Sequence, residues 1–300
     1  MNEVLVVGSV ALDSVETPYG SQEEALGGSA TYSSVSASFF TPVNLVGVVG
    51  ADFPKKYLDI LKRRRIDLEG LEIRKGKSFR WQGRYGYDLN VAFTLSTELN
   101  VFEEFNPRLP QKYRNLSYVF LANIDPDLQL SVLDQLHKPR FVALDSMEFW
   151  IKKKKRSLLR LLKKVDLVLL NDQEARALTE NTNLALAGKA LIQSGPRMAL
   201  IKKGEHGVLF FTKDFVFSTP AYLLEAIKDP TGAGDTFAGG FIGYLAKGGK
   251  MDDTSIRKGI IYGNVMASFA VEDFGLNRLF SLKNSEIEKR FNEFKTFTRF

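Results

Sequence analysis

Hydrophobic and polar positions along the chain switch between two periods. Residues 4–7, 43–49, 118–121, 141–144, 167–170 and 198–201 are almost wholly apolar and rich in β-branched residues. Runs this short suit strands buried on both faces. Between them lie stretches with apolar residues at helical spacing. Residues 29–40 follow a Gly-Gly turn, residues 54–65 place Tyr57, Leu58 and Leu61 on one face, and further helical patterns fall near 127–136, 152–164 and 184–194. From Thr236 onward the pattern is mostly helical. This β-helix-β rhythm predicts an α/β fold: a mostly parallel central sheet, helices on both faces, right-handed crossovers.

One region breaks the rhythm. Residues 71–105 contain Phe79-Arg-Trp-Gln-Gly-Arg-Tyr-Gly-Tyr87 and Val91-Ala-Phe-Thr-Leu95, which are aromatic, alternating and without helical spacing. They predict a separate small sheet. Such an insertion is a candidate lid over a site or a dimer surface; a plain structural insertion is the alternative. Arg84, Tyr87 and Asp88 would be its candidates for reaching a substrate. There is no internal repeat or long linker, so one domain is expected over residues 1–300.

Composition narrows the chemistry. With no cysteine, disulfides and thiolate metal sites are excluded, and only His137 and His206 could supply imidazole. The N-terminus lacks the basic and apolar regions of a signal peptide, and no run approaches a membrane span. A cytoplasmic protein is expected. The net charge of +6 favours anionic partners. Part of the excess is the run Lys152-Lys-Lys-Lys-Arg156. No aromatics interleave with it as a nucleic-acid platform would require, so it reads as a solvated helix face.

The chemistry concentrates at Asp229-Pro-Thr-Gly-Ala-Gly-Asp-Thr-Phe237. Pro230 should end a preceding strand. Gly232 and Gly234 permit a tight turn, and Phe237, Phe241 and Tyr244 then begin a helical pattern. A glycine turn opening a helix presents unpaired N–H groups and the positive end of the dipole, a ready anion site. Asp235 at its mouth could be a helix cap. Beside such a loop it could instead accept a proton from an attacking hydroxyl, while the 232–235 amides hold phosphate charge. No P-loop or protein-kinase motif is present.

Residues 229–241 resemble the second signature of the ribokinase/PfkB carbohydrate-kinase family, whose D-x-x-G-A-G-D core is intact. Other segments agree in family order: Gly8-Ser-Val-Ala-Leu-Asp13, Gly27-Gly-Ser-Ala-Thr-Tyr32, Gly47-Val-Val-Gly-Ala-Asp52, Asn171-Asp-Gln-Glu174, Lys202-Lys-Gly-Glu-His-Gly207, and Asn264 with Gly275. The resemblance covers nearly the whole chain. It implies a ribokinase-like fold with a small β lid, formed here by about 14–24 and 71–105. It implies MgATP as phosphoryl donor and Asp235 as base, with Gly232, Ala233 and Gly234 completing the anion hole. Asp13, Gly27, Gly28, Ser29 and Tyr32 would meet a sugar or nucleoside acceptor. Asn171, Lys202, Gly204, Gly207, Thr231 and Asn264 would meet ATP. Glu174 would act on Mg2+ through water, and Asp229 would border a monovalent cation such as K+. Family lids often pair subunits, so a homodimer is expected.

Asp125 and Asp145 also follow strands, and one of them could line the acceptor pocket or merely form a turn or cap. Three departures from the pattern stand out. Tyr32 occupies the place of an Asn that touches a sugar hydroxyl, and Ser29 that of a ribokinase Lys. Lys202-Lys203 replaces the more usual Thr-Leu. The Tyr32 and Ser29 changes put D-ribose in doubt, and the aromatic lid residues Trp81, Tyr85 and Tyr87, with Tyr32, tilt the reading toward a flat-ringed acceptor such as a nucleoside. Two rivals remain: a catalytically silent binding protein of the same fold, and a nucleic-acid partner acting through the basic run.

Overall fold

A computed structural model describes residues 2–299. Its main sheet has nine strands. β1 (Val4–Val7) lies in its interior, beside β4 (Val43–Gly50), which pairs with the edge strand β5 (Ile66–Arg74). On the other side follow β8 (Tyr118–Leu121), β9 (Phe141–Asp145), β10 (Leu167–Asn171) and β11 (Met198–Lys202), all parallel. An antiparallel hairpin, β12 (Val208–Thr212) and β13 (Val216–Thr219), closes that edge. The apolar runs are continuous because helices cover both faces. Along β1, Val4 and Val6 face one core with Phe120 and Phe241, while Leu5 and Val7 face the other with Val119 and Leu161.

Helices α1 (Ser29–Ala37), α2 (Lys55–Arg63), α3 (Pro126–Leu133), α4 (Glu148–Lys153), α5 (Lys155–Leu162), α6 (Asp172–Thr179), α7 (Leu184–Gln193), α8 (Ala233–Gly248), α9 (Asp253–Ala270), α10 (Asn277–Ser281) and α11 (Asn284–Phe297) supply those layers. The pair α1 and α8 matters most for the site. Their facing residues are small, and a Cβ on Gly239 would fall 2.1 Å from the Ser33 carbonyl oxygen. The two backbones therefore nearly touch, which sets the turn before α1 against the turn before α8.

The small sheet is present, in the order β3 (Gly20–Gly27), β2 (Ala11–Thr17), β6 (Phe79–Tyr85) and β7 (Ala92–Glu98). Its bounds differ from the expected 14–24 and 71–105, because residues up to Arg74 belong to β5 at the edge of the main sheet. The single helix expected near 152–164 is two, broken at Lys154 where the backbone turns to φ −130°. Pro230 ends no strand, since β13 stops at Thr219. Asp52 ties lid to core. It accepts hydrogen bonds from the Ser78 amide and hydroxyl, both at 2.7 Å, and an ion pair from Arg80 at 2.8 Å. Among the described residues no helix is long and apolar enough to cross a membrane.

Candidate active site

The strands β1, β8, β9, β10 and β11 end on one side of the sheet, and the lid and the N-terminus of α8 meet there. That is where open parallel sheets place their ligands. Gly232 caps α8 with φ +71°, a left-handed turn natural to glycine. Within the turn the Ala233 amide is taken by the Pro230 carbonyl at 3.2 Å. The amides of Gly232, Gly234 and Asp235 have no acceptor among the described residues. Of the four amides expected to form an anion hole, only that of Ala233 is hydrogen-bonded among the described residues.

Asp235 is the third residue of α8 and makes no capping bond. Its carboxylate has no hydrogen-bond partner among the described residues, so it does not serve as a cap there. Burial pushes it up to about 8, with Asp145, Asp13 and Glu174 adding to the rise and the Lys202 ammonium opposing it. Asp13, at 5% exposure, accepts from the Gly28 amide at 3.1 Å. Burial lifts it to about 7 against that bond, and Asp229 adds to the lift. Asp229 is 1% exposed and accepts from the amides of Thr231 and Gly275, both at 2.9 Å.

Around these acids stand two tyrosines. The ring of Tyr32 lies under Gly232, 2.5 Å from where a Cβ would be, and its hydroxyl is buried with no hydrogen-bond partner. Tyr85, from β6, accepts a hydrogen bond from the Thr231 hydroxyl at 3.2 Å and so rests the lid on the turn that opens α8. Neither Arg84 nor Tyr87 turns inward: both are exposed, Tyr87 almost fully, and Asp88 bonds to Asn90 beside it. Strand alternation puts Tyr85 on the opposite face from its neighbour Arg84.

On the donor side, Asn171 and Glu174 form a reciprocal capping box at the start of α6: Asn171 N to Glu174 Oε2 at 2.7 Å, Glu174 N to Asn171 Oδ1 at 2.8 Å. The N-x-x-E spacing therefore has a structural use of its own. Glu174 is nonetheless buried, and burial followed by Asp145 raises it to about 7, while Lys202 and the Asn171 bond pull it down. Lys202 pairs with Asp145 at 2.8 Å. Gly204 and Gly207, both with positive φ, shape the turn after β11, and a Cβ on Gly204 would meet the lid residue Asn90. His206 in that turn is exposed. Asn264 on α9 is buried and donates to the Pro220 carbonyl at 3.4 Å.

Not every expected residue joins this cluster. Ser29 is held by its own neighbourhood: its amide donates to the Ser9 hydroxyl at 3.0 Å and its hydroxyl to the Asn123 carbonyl at 3.3 Å. Asp125 caps α3 through the Asp127 amide and pairs with Lys154 at 3.0 Å. The basic run is paired as well, Lys152 with Glu148, Lys154 also with Asp127, and Lys155 with Glu180, each at 2.6 Å. Sequence reading missed Gln129. Its buried amide donates to the carbonyls of Leu121, Ala122 and Asp145, at 3.3, 2.8 and 3.1 Å, tying the ends of β8 and β9 together. A polar residue at a helix position facing strand ends was the available signal.

Fold and site together are those of a small-molecule kinase acting on a nucleoside or carbohydrate with ATP. The chain belongs to the pfkB family carbohydrate kinases, whose family model matches residues 1–281. It is 31% identical over 266 residues to a cytidine kinase of Thermococcus kodakarensis, covering 87% of this chain and 94% of that protein. It is 24% identical to a nucleoside kinase of Methanocaldococcus jannaschii over 92% of both. The crystal structure of a Methanocaldococcus jannaschii nucleoside kinase, an archaeal member of the ribokinase family, shares the fold with TM-score 0.78 at 22% identity, over 98% and 99% of the two chains. A Burkholderia thailandensis nucleoside kinase in complex with inosine does so with TM-score 0.80 at 18% identity, over 97% of each.

Proposed function

We propose that this protein transfers the γ-phosphoryl group of MgATP to a hydroxymethyl group of a nucleoside, with Asp235 as the base. The observation that carries this is the free Asp235 carboxylate at the mouth of a helix N-terminus whose Gly232, Gly234 and Asp235 amides lack acceptors. Asp235 takes the proton of the attacking hydroxyl, and the three amides hold the charge of the transferring phosphoryl. Asp13 orients the acceptor, Tyr32 and Tyr85 bound it, and the lid excludes water. The Gly204–Gly207 turn, Asn171, Thr231 and Asn264 hold the nucleotide. Similarity to a cytidine kinase and to nucleoside kinases supports a nucleoside over a simple sugar, as does the aromatic wall of Tyr32 and Tyr85.

Magnesium enters with the nucleotide as part of the substrate and supplies charge neutralisation there. Only one Glu174 oxygen is hydrogen-bonded, which suits contact with that ion through water. Asp229 is buried without a cationic side chain bonded to it, which suits a K+ ion beside it. We also propose that the exposed strand β7 joins two copies in a dimer.

A panel of nucleosides, pentoses, hexoses and sugar phosphates, read by ADP release, tests the acceptor. Turnover confined to sugar phosphates would sink the nucleoside reading. Asp235→Asn tests the base: turnover surviving within about tenfold of wild type, about 1.4 kcal/mol of barrier, would remove Asp235 from the role.

A further inference from the structure

We infer that Lys202 is a built-in cation, supplying from the protein itself the positive charge that a second, protein-held divalent ion would bring to the phosphoryl-transfer site. This rests on the kinase reading above, with MgATP as the only metal-bearing reactant. The placement follows from strand register. Lys202 ends β11 opposite Asn171 of β10, and Asp145 ends β9 opposite Leu169 of the same strand. Three adjacent parallel strands thus deliver Asp145, Lys202 and, through the α6 capping box, Glu174 to one spot. The Lys202 ammonium lies 2.8 Å from Asp145 Oδ2 and 3.1 Å from where a Cβ on Gly234 would be. It therefore reaches from the sheet to the turn that opens α8. Glu174 and Asp235 act on it electrostatically as well.

Asp145 touches the ammonium while Glu174 and Asp235 act on its charge, and acids grouped in this way would ordinarily attract a cation. Here the ammonium occupies that position. Among the described residues no three acidic or imidazole side chains converge as metal ligands. The Lys202 and Asp145 side chains are only 16% and 5% exposed. A pair so buried gains little net stability over apolar residues of similar size, so stability alone is a weak reason for it. An ammonium has three donors. Asp145 takes one, which leaves two for phosphate oxygens arriving at the α8 turn. Gln129, bonded to the Asp145 carbonyl at 3.1 Å, holds the partner in place.

Manganese binding to the nucleotide-free protein, followed by electron paramagnetic resonance, reads this without relying on turnover. Wild type and Lys202→Arg should bind no stoichiometric Mn2+ at millimolar concentration. Lys202→Met and Lys202→Gln should each gain one ion per chain, and adding Asp145→Asn should abolish it. At saturating MgATP, further free Mg2+ should leave wild-type turnover flat and raise that of Lys202→Gln by about tenfold. Stoichiometric Mn2+ on the wild type that Asp145→Asn removes would overturn the inference. So would a Lys202→Gln protein, folded by circular dichroism, that binds none. If no acceptor yields ADP, the kinase reading fails, while the manganese result still decides whether the lysine excludes a metal.

Discussion

Asp235 carries its charge at a cost in stability. Burial lifts its pKa to about 8 from 3.8, so the folded protein binds this proton more tightly than the unfolded chain. Stability from this group is therefore present at low pH and is lost as pH rises between those two values. Asp235→Asn removes the penalty. Its thermal midpoint should exceed that of wild type by a few degrees at pH 8, with a smaller gain at pH 5, while turnover falls by about 10³. Equal gains at both pH values would mean that the carboxylate is not desolvated. As a base, Asp235 must be ionised to act. The kcat/KM for the acceptor should therefore climb as pH rises through about 8, several units above an ordinary aspartate. An acidic limb near 4 in the pH–rate profile would contradict this. Tyr32 offers a second residue-scale test. Its hydroxyl is buried and unpartnered, which costs about 1–3 kcal/mol unless a ligand satisfies it. Tyr32→Phe should therefore melt no lower than wild type yet raise the acceptor KM several-fold. A clear fall in melting temperature would instead assign the hydroxyl a partner within the protein.

At the scale of elements, two of the bonds that join the lid to the core stand out. Asp52 fixes its root through Ser78 and Arg80, and the Tyr85–Thr231 bond fixes its inner strand over the turn that opens α8. Tyr85→Phe removes only the second. Water should then enter more readily, so ADP release without acceptor should rise and the acceptor KM should grow by about 3–10-fold, the scale of one hydrogen bond. Unchanged ADP release without acceptor would show that Tyr85 does not hold the lid. The elements differ in how far the sequence foretells them. β1, β4 and β8 through β11 are legible because burial on both faces makes each an unbroken apolar run. β5 is not, because an edge strand is half exposed and its pattern merges with the lid that follows. The glycine turn before α8 is legible because the turn needs those residues wherever the rest of the chain goes. The Lys202–Asp145 pair is not, since it depends on β9 and β11 flanking β10 in one register across 57 residues. Asp125 misleads for the same reason. A strand-end acid looks alike in sequence whether it faces a ligand or caps the next helix.

For the whole molecule, the outer strand of the lid poses the remaining question. β7 is exposed at every position, including Phe93 at 54% and Leu95 at 49%, and it pairs with β6 on one side only. An open strand edge with apolar side chains is a template for another strand, and proteins that stay monomeric usually protect such edges with lysine, proline or a bulge. β7 contains neither lysine nor proline, and its one irregularity is a single-residue slip against β6 at Leu95. A second copy would satisfy both the edge and the apolar side chains through one two-fold contact, in which each copy offers the same surface. The contact lies on the same sheet that carries Tyr85, so pairing would stiffen the lid as well as cover it. Sedimentation should find wild type as a dimer, and Phe93→Glu with Leu95→Glu should yield a folded monomer. That monomer should keep its melting temperature within about 3 °C, because both side chains are exposed in the single copy, yet show a higher acceptor KM. A wild type that sediments as a monomer at micromolar concentration would leave β7 without a partner. A monomeric variant with unchanged KM would separate pairing from lid function.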